Sequence, residues 1–226
     1  MKNQLLTLFL LISISANAQV TPRNILSKKY TFEALKQAII PKIQYKPYPK
    51  TAAEWQAALP DSVIKSIIQN GEKALKYEFL PISASISLDF VRSGDRLRHS
   101  HISFNKRGNL AELIVAESVE DKGRFTEAIL NGVWSICEES YWGVPAHIGG
   151  TGLPDVENPV VDLFAAETAS VLAMADYFVG DKLDKINPLI RKRIYFETNK
   201  RFFTPMMDTS KTNKYNWMSK TQPVNN

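Results

Sequence analysis

Across most of this chain the apolar residues recur about every three to four positions, the spacing that gives a helix one buried face. Thr31 can cap a short helix running to Ile40, where Pro41 stops it. Pro47 and Pro49 make the stretch 42–50 extended. Thr51-Ala52-Ala53-Glu54 has the form of a capping box, which predicts a helix to Leu59 before Pro60. Asp61 can cap a longer one, with Val63, Ile64, Ile67 and Ile68 on its apolar face and Ala74, Leu75 and Phe79 continuing it. Gly71 weakens the middle of that helix.

The pattern changes over 82–90, where Ile82, Ala84, Ile86, Leu88 and Phe90 alternate with other residues at the strand period. Helical neighbours on both sides favour a buried helix or an extended segment inside an α fold. Clearer helices are expected over 108–117 and 121–139. Asn158-Pro159 marks the next start, for a helix over 160–179 that Gly180 ends. Asn187-Pro188 opens another, which persists to Phe203 before Pro205. Short connections between successive helices imply antiparallel pairs. The expected fold class is all-α. Its organisation is a signal peptide over 1–18, an extended lead with a short helix over 19–50, and one helical domain over 51–226.

The signal peptide rests on three features: Lys2 in a positive n-region, an apolar run from Leu5 to Ile14, and the small-x-small pattern Ala16-Asn17-Ala18. Cleavage after Ala18 predicts a periplasmic or secreted protein with no stable membrane insertion afterwards. Cys137 is the only cysteine, so an internal disulfide is excluded, and its apolar neighbours predict a buried thiol rather than a nucleophile. The net charge of +5 is mild and mixed along the chain. It permits an anionic ligand and gives no concentrated basic face for nucleic acid. The polar stretch after Met206, with Tyr215 and Trp217 stranded near Gln222-Pro223-Val224-Asn225-Asn226, reads as a chain cut short.

Candidate chemistry gathers in one place. The stretch 134–147 holds Trp134, Glu138, Glu139, Tyr141, Trp142 and His147, at a helix end that Gly143 and Pro145 break. Aromatic faces pack on sugar rings, and carboxylates or imidazole handle hydroxyls and protons, so the combination suits a carbohydrate cleft. The loop continues through Gly149, Gly150 and Gly152 to Asp155; it lacks the Lys-Ser/Thr ending of a phosphate loop. Adjacent Glu138 and Glu139 point to different faces if helical, so they are not by themselves an acid/base pair. Arg92, Arg96, Arg98, His99, His101, Lys106 and Arg107 form a second, basic segment. It can hold an acidic polysaccharide through bidentate arginines, or it is a solvated loop. His99-x-His101 has no third metal ligand nearby; neither metal nor cofactor is expected.

The span 134–147, then Leu153-Pro154-Asp155-Val156-Glu157-Asn158-Pro159 through Glu167, resembles the heparinase II/III-like proteins of polysaccharide-degrading bacteria. Phe90-Val91-Arg92 with the following arginines and the segment from Leu189 to Glu197 are similar too, so the resemblance covers roughly residues 77–226. It implies an incomplete (α/α) toroid of antiparallel helix pairs, followed in the family by a β-sandwich beyond this chain. It also implies β-elimination of uronic-acid glycans of heparin/heparan or alginate type. One group neutralises the uronate carboxylate, and a Tyr or His removes the acidified C5 proton. The implied catalytic residues are Asn225 and Asn226, which stand where a family Asn-Asn-Trp block begins, with His147 beside them. Glu138, Glu139, Tyr141, Trp142, Arg92, Arg96 and Arg98 are the implied substrate-binding set. The catalytic Tyr would lie past Asn226, so this chain alone is expected to be weak or inactive. Two alternatives stand beside this reading. One is a non-catalytic module that binds acidic glycans. The other is an (α/α)-barrel glycoside hydrolase using Glu139 with Asp162 or Glu167.

Overall fold

The computed structural model describes residues 24–41 and 44–207, and among these every regular element is a helix. The signal-peptide segment, Asn225 and Asn226 lie outside the described residues. The chain divides into two units, Met1–Pro47 and Tyr48–Asn226. The first holds α1 (Ile25–Lys29) and α2 (Phe32–Ala38), neither with a buried residue. Thr31 caps α2 as expected, its Oγ1 accepting from the Ala34 N–H at 3.2 Å.

The second unit begins with α3 (Ala52–Ala58) and α4 (Asp61–Ala74). The capping box before α3 is present in full: Thr51 accepts from Glu54 N–H, and the Glu54 carboxylate reaches back to the Thr51 N–H. Pro60, not Asp61, is the N-cap of α4, and the helix ends at Ala74, so Phe79 belongs to the segment after it. Then come α5 (Ala84–Ser93), α6 (Leu97–Glu120), α7 (Thr126–Cys137), α8 (Leu163–Ile186) and α9 (Leu189–Thr198). A π-helical turn over Asn199–Phe203 leads to α10 (Thr204–Met207).

Helix α6 is the hub, packed against α4, α7 and α8. Its Leu110, Leu113, Ile114 and Ala116 join Ile129, Val133 and Ile136 of α7 and Leu172, Ala175, Val179 and Leu183 of α8 in one core. Each fully buried large aliphatic side chain there contributes about 1.5–3 kcal/mol through the apolar area it removes from water. Gly71 proves to be a crossing point rather than a weak spot. A Cβ on it would lie 2.3 Å from Ala116 Cβ, so only glycine lets α4 approach α6 this closely.

Several boundaries differ from the sequence expectation, each for a local reason. The basic segment, for which a solvated loop is one reading of the sequence, runs from Arg92 near the end of α5 through Arg96 ahead of α6 into the first half of α6. That helix starts eleven residues ahead of the expected 108. The segment 82–90 is helical from Ala84 onward, as α5, and half-buried rather than buried. Helix α7 starts at Thr126, not at 121, because Asp121 is left-handed at φ 57° and Glu117 accepts from the Gly123 and Phe125 N–H groups, fixing a turn. Helix α8 starts after Asp162, not after Asn158, and runs through Gly180 to Ile186. Gly180 does not end it: a Cβ there would meet the Arg191 guanidinium at 1.9 Å, so glycine clears the path by which Arg191 reaches Asp176, Asp181 and Asp184. By length and composition alone α8 could cross a membrane, but its apolar centre is taken up by the core.

Candidate functional site

The connection from α7 to α8, residues 138–162, is organised around one buried carboxylate. Asp162 caps α8, its Oδ1 accepting from the Ala165 N–H at 2.8 Å. Its Oδ2 accepts from the Val144 N–H at 3.1 Å and from the Tyr141 hydroxyl at 3.4 Å, and lies 2.7 Å from His147 Nδ1. Gly143 makes the arrangement sterically possible, since a Cβ there would sit 2.4 Å from Asp162 Oδ2 and 2.3 Å from the Tyr141 oxygen. His147 Nδ1 faces Asp162 Oδ2, and the ring stacks on Phe164 with centroids 6.0 Å apart. Burial, with the Asp162 charge beside it, pushes the Tyr141 hydroxyl pKa upward, so this phenol stays protonated.

Beside this loop opens a cleft of about 950 Å³. Tyr77, Phe79, Leu80, Pro81 and Ile82, from the segment between α4 and α5, form one wall. Trp134 of α7 with Tyr141, Leu153 and Pro154 of the long connection form others. Trp134 is 45% exposed, with Arg193 over its ring at 5.6 Å, and Tyr77 meets Phe79 edge-on at 5.1 Å. Polar groups reach the cleft from His99, Asn131, Ser135, Glu138 and Glu139.

Glu139 is held from behind by two cations of α6. Arg107 Nη2 donates to Oε2 at 2.7 Å, while Lys106 Nζ lies 2.8 Å from Oε1. The Lys106 contact is an ion pair whose angles fall short of a hydrogen bond, although Lys106 is 0% exposed. Arg107 is further tied to Thr168 Oγ1 at 2.6 Å and to the Ser103 carbonyl at 3.1 Å. Such clustering keeps buried charges compensated, as burial of an isolated ion would cost several kcal/mol. Nearby, His99 is 4% exposed and its Nδ1 has no hydrogen-bond partner. Burial lowers the His99 pKa; Glu139 and Asp162 oppose that shift and Arg107 adds to it. Burial likewise raises Tyr77, aided by Glu139 and opposed by Arg107.

The structure brings Glu138, Glu139 and Tyr141 to the cleft. The two glutamates diverge as expected: Glu138 is exposed and 3.3 Å from Arg193, Glu139 buried on its two cations. Trp142 does not line the cleft. It is 1% exposed, its Nε1–H donates to the Ile136 carbonyl, and Arg201 covers its ring at 5.2 Å, so its side chain serves the core. His147 does not line it either, because Asp162 and Phe164 draw the ring aside. Arg92, Arg96 and Arg98 are exposed and lie outside the lining; Arg96 covers Phe90 and Arg98 pairs with Asp89 at 3.0 Å. His99 and His101 sit two residues apart on a helix, one buried and one exposed, and do not converge. Asp162 and Glu139 are both fully engaged, and Glu167 is exposed away from the cleft.

Sequence reasoning missed Tyr77 and did not separate Trp134, which is available to a ligand, from Trp142, which is not. The signal for the first was an aromatic pair, Tyr77-x-Phe79, just ahead of Pro81. Cys137 is buried as expected, and burial, together with the Glu197 charge, pushes its thiol up to about 12, which leaves it inert. Among the described residues no cluster of His, Cys, Asp and Glu could hold a metal ion. No protein-family model matches this chain, and no curated protein matches it.

Proposed function

We propose that the helical unit is the front part of an (α/α) toroid of heparinase II/III-like type, exported to the periplasm or beyond, and that its cleft binds a uronic-acid-containing polysaccharide destined for β-elimination. One observation carries this reading: an open cleft walled by Tyr77, Phe79, Trp134 and Tyr141, with carboxylates, an imidazole and an amide inside it. Aromatic faces with a few convergent polar groups are what a sugar ring requires of a protein. The longest block quoted above for the resemblance, 134–147 with its continuation from Leu153, falls on the end of α7 and the long connection, both of which contribute to this cleft.

In this reading the residues of the chain bind and orient. Trp134 offers a stacking face, and Glu138 and Asn131 meet hydroxyls. Asp162 holds His147 and Tyr141 in fixed orientations so that the loop keeps its shape when a glycan enters. Neutralising the uronate carboxylate falls to Asn225 and Asn226, and removal of the C5 proton to a Tyr or His further along the family pattern. The second reading, an acidic-glycan-binding module without turnover, is favoured by the engagement of Glu139 and Asp162. That engagement counts against the hydrolase alternative, which needs one of them free to exchange a proton.

The test is direct. The full chain is titrated with uronate oligosaccharides by calorimetry, and the mixtures are followed for the ultraviolet absorbance of an unsaturated uronate. Binding with little or no absorbance change is expected. Absence of binding to every uronate oligosaccharide tried would sink the proposal, and reducing ends released without absorbance would replace it with hydrolysis.

A further inference from the structure

The lining of the cleft has a charge pattern that bears on which sugar it takes. Among the described residues that line it there are three carboxylates, Glu78, Glu138 and Glu139, and no lysine or arginine. Behind it Lys106 and Arg107 are buried and committed to Glu139, and Arg193, over the Trp134 ring, is paired with Glu138 and Glu197. Desolvating a uronate carboxylate against such a wall would be unfavourable, since like charges repel and the cations beside it already hold carboxylates.

Within that lining one imidazole has an unmet ring nitrogen. His99 is 4% exposed and its ring belongs to the lining, while its Nδ1, turned inward, has no partner among the described residues. An unsatisfied buried ring nitrogen is costly unless something completes it. Around it Glu139 and the Arg107 guanidinium hold each other, and Arg107 also donates to the Thr168 hydroxyl and the Ser103 carbonyl. Asp162 is taken by the Ala165 and Val144 N–H groups, Tyr141 and His147. A neutral imidazole is matched by a hydroxyl, which can give or accept a proton as the tautomer requires.

We propose that this cleft holds an uncharged, hydroxyl-bearing ring of the glycan rather than a uronate, and that the edge of the His99 imidazole lining the cleft hydrogen-bonds one of its hydroxyls while Trp134 packs on its face. The inference rests on the glycan-binding reading above and narrows it: charged rings of the same polymer lie outside the cleft. His99 is then a specificity-determining residue.

The experiment uses the full chain and three tetrasaccharide probes. These are tetramannuronate, in which every ring is charged; a hyaluronan tetrasaccharide, in which glucuronate alternates with N-acetylglucosamine; and cellotetraose, in which none is charged. Histidine ring resonances of the 15N-labelled protein are followed as each is added, and affinities are measured for the parent and for H99F and H99Q. Expected is a His99 shift with a probe that contains an uncharged ring and none with tetramannuronate. H99F should weaken that probe's binding roughly five- to tenfold, the loss of one neutral hydrogen bond, and H99Q should recover part of it. Should H99F fail to fold, the resonance shifts of the parent protein still decide. A His99 shift with tetramannuronate as large as with the others overturns the inference and leaves the proposed function standing. So does binding of uncharged-ring probes that leaves His99 unmoved. Failure of all three probes to bind overturns both.

Discussion

Glu117 and Glu139 are both buried carboxylates on lysine or arginine partners, yet of the two it is Glu139 that lines the cleft. Glu117, 0% exposed, accepts from the Gly123 N–H at 2.7 Å and the Phe125 N–H at 3.1 Å, and pairs with Lys182. Burial opposes the Lys182 charge, but its hydrogen bonds to Asp121 and Glu117 outweigh that and leave its pKa raised. Every oxygen there is used to close the α6–α7 turn. Glu139 is tied as firmly to Lys106 and Arg107, but it lines a cleft and has an unsatisfied imidazole near it. Buried charge therefore does not mark a site by itself; a cavity and an unmet hydrogen-bonding group beside the charge do.

The largest expected effect would sharpen this contrast. Glu139→Ala leaves Lys106 and Arg107 buried without their carboxylate and should lower stability by about 3–5 kcal/mol in urea unfolding. Glu117→Ala should lower it by about 1–3 kcal/mol, because backbone donors are left unmet while Lys182, 26% exposed at its side chain, can reach water. Glu139→Ala should also move the His99 ring resonances, and Glu117→Ala should not. An equal response of His99 to both would break the comparison.

Two tryptophans extend it. Trp142→Ala should cost about 3–5 kcal/mol, the price of emptying a core position. Trp134→Ala should change stability by less than about 0.5 kcal/mol while weakening oligosaccharide binding. If Trp134→Ala left calorimetric binding untouched, the cleft would not be the sugar site. On the structural side, Gly71→Ala forces α4 away from Ala116 and should cost about 1–3 kcal/mol in thermal or urea unfolding, with no effect on binding.

The smallest effect is a pH dependence. Folding lowers the His99 pKa below its ordinary 6.5. Above 6.5 the ring is neutral whether folded or unfolded, so His99 adds no slope there. Below 6.5 the unfolded chain takes up a proton that the folded one refuses, so stability falls until the lowered folded value is passed. The urea midpoint of the parent protein should therefore drop more than that of H99Q between pH 7 and the lowered folded value. Parallel curves would mean that His99 is not held neutral by the fold.

How much of this was legible beforehand varies by element. The capping box at Thr51 and Glu54 and the cap at Thr31 were readable because each depends on residues within one turn. The start of α6 was not, because Arg96 to Arg107 look like a solvated run until α7 and α8 close over Lys106 and Arg107. The start of α8 was misplaced because Asn158-Pro159 carries a good local start signal, whereas Asp162 wins by serving as helix cap and as acceptor for Val144, Tyr141 and His147 together. Trp134 and Trp142 are equivalent on paper; eight positions apart, at opposite sides of a helix end, they meet different surroundings.

By itself, the order of residues determined the all-helical character, the caps that depend on near neighbours and the buried thiol at Cys137. Those properties follow from periodicity and from contacts within a few residues, which a linear pattern records. The packing of α6 against α7 and α8 decided the rest. It made Lys106 and Arg107 partners of Glu139, sent Trp142 into the core and left Trp134 at the surface, drew His147 onto Asp162, and placed His99 against the cleft without a partner. Each of these depends on residues tens of positions apart coming within a few ångströms, and burial then decides which charges pair and which groups stay open.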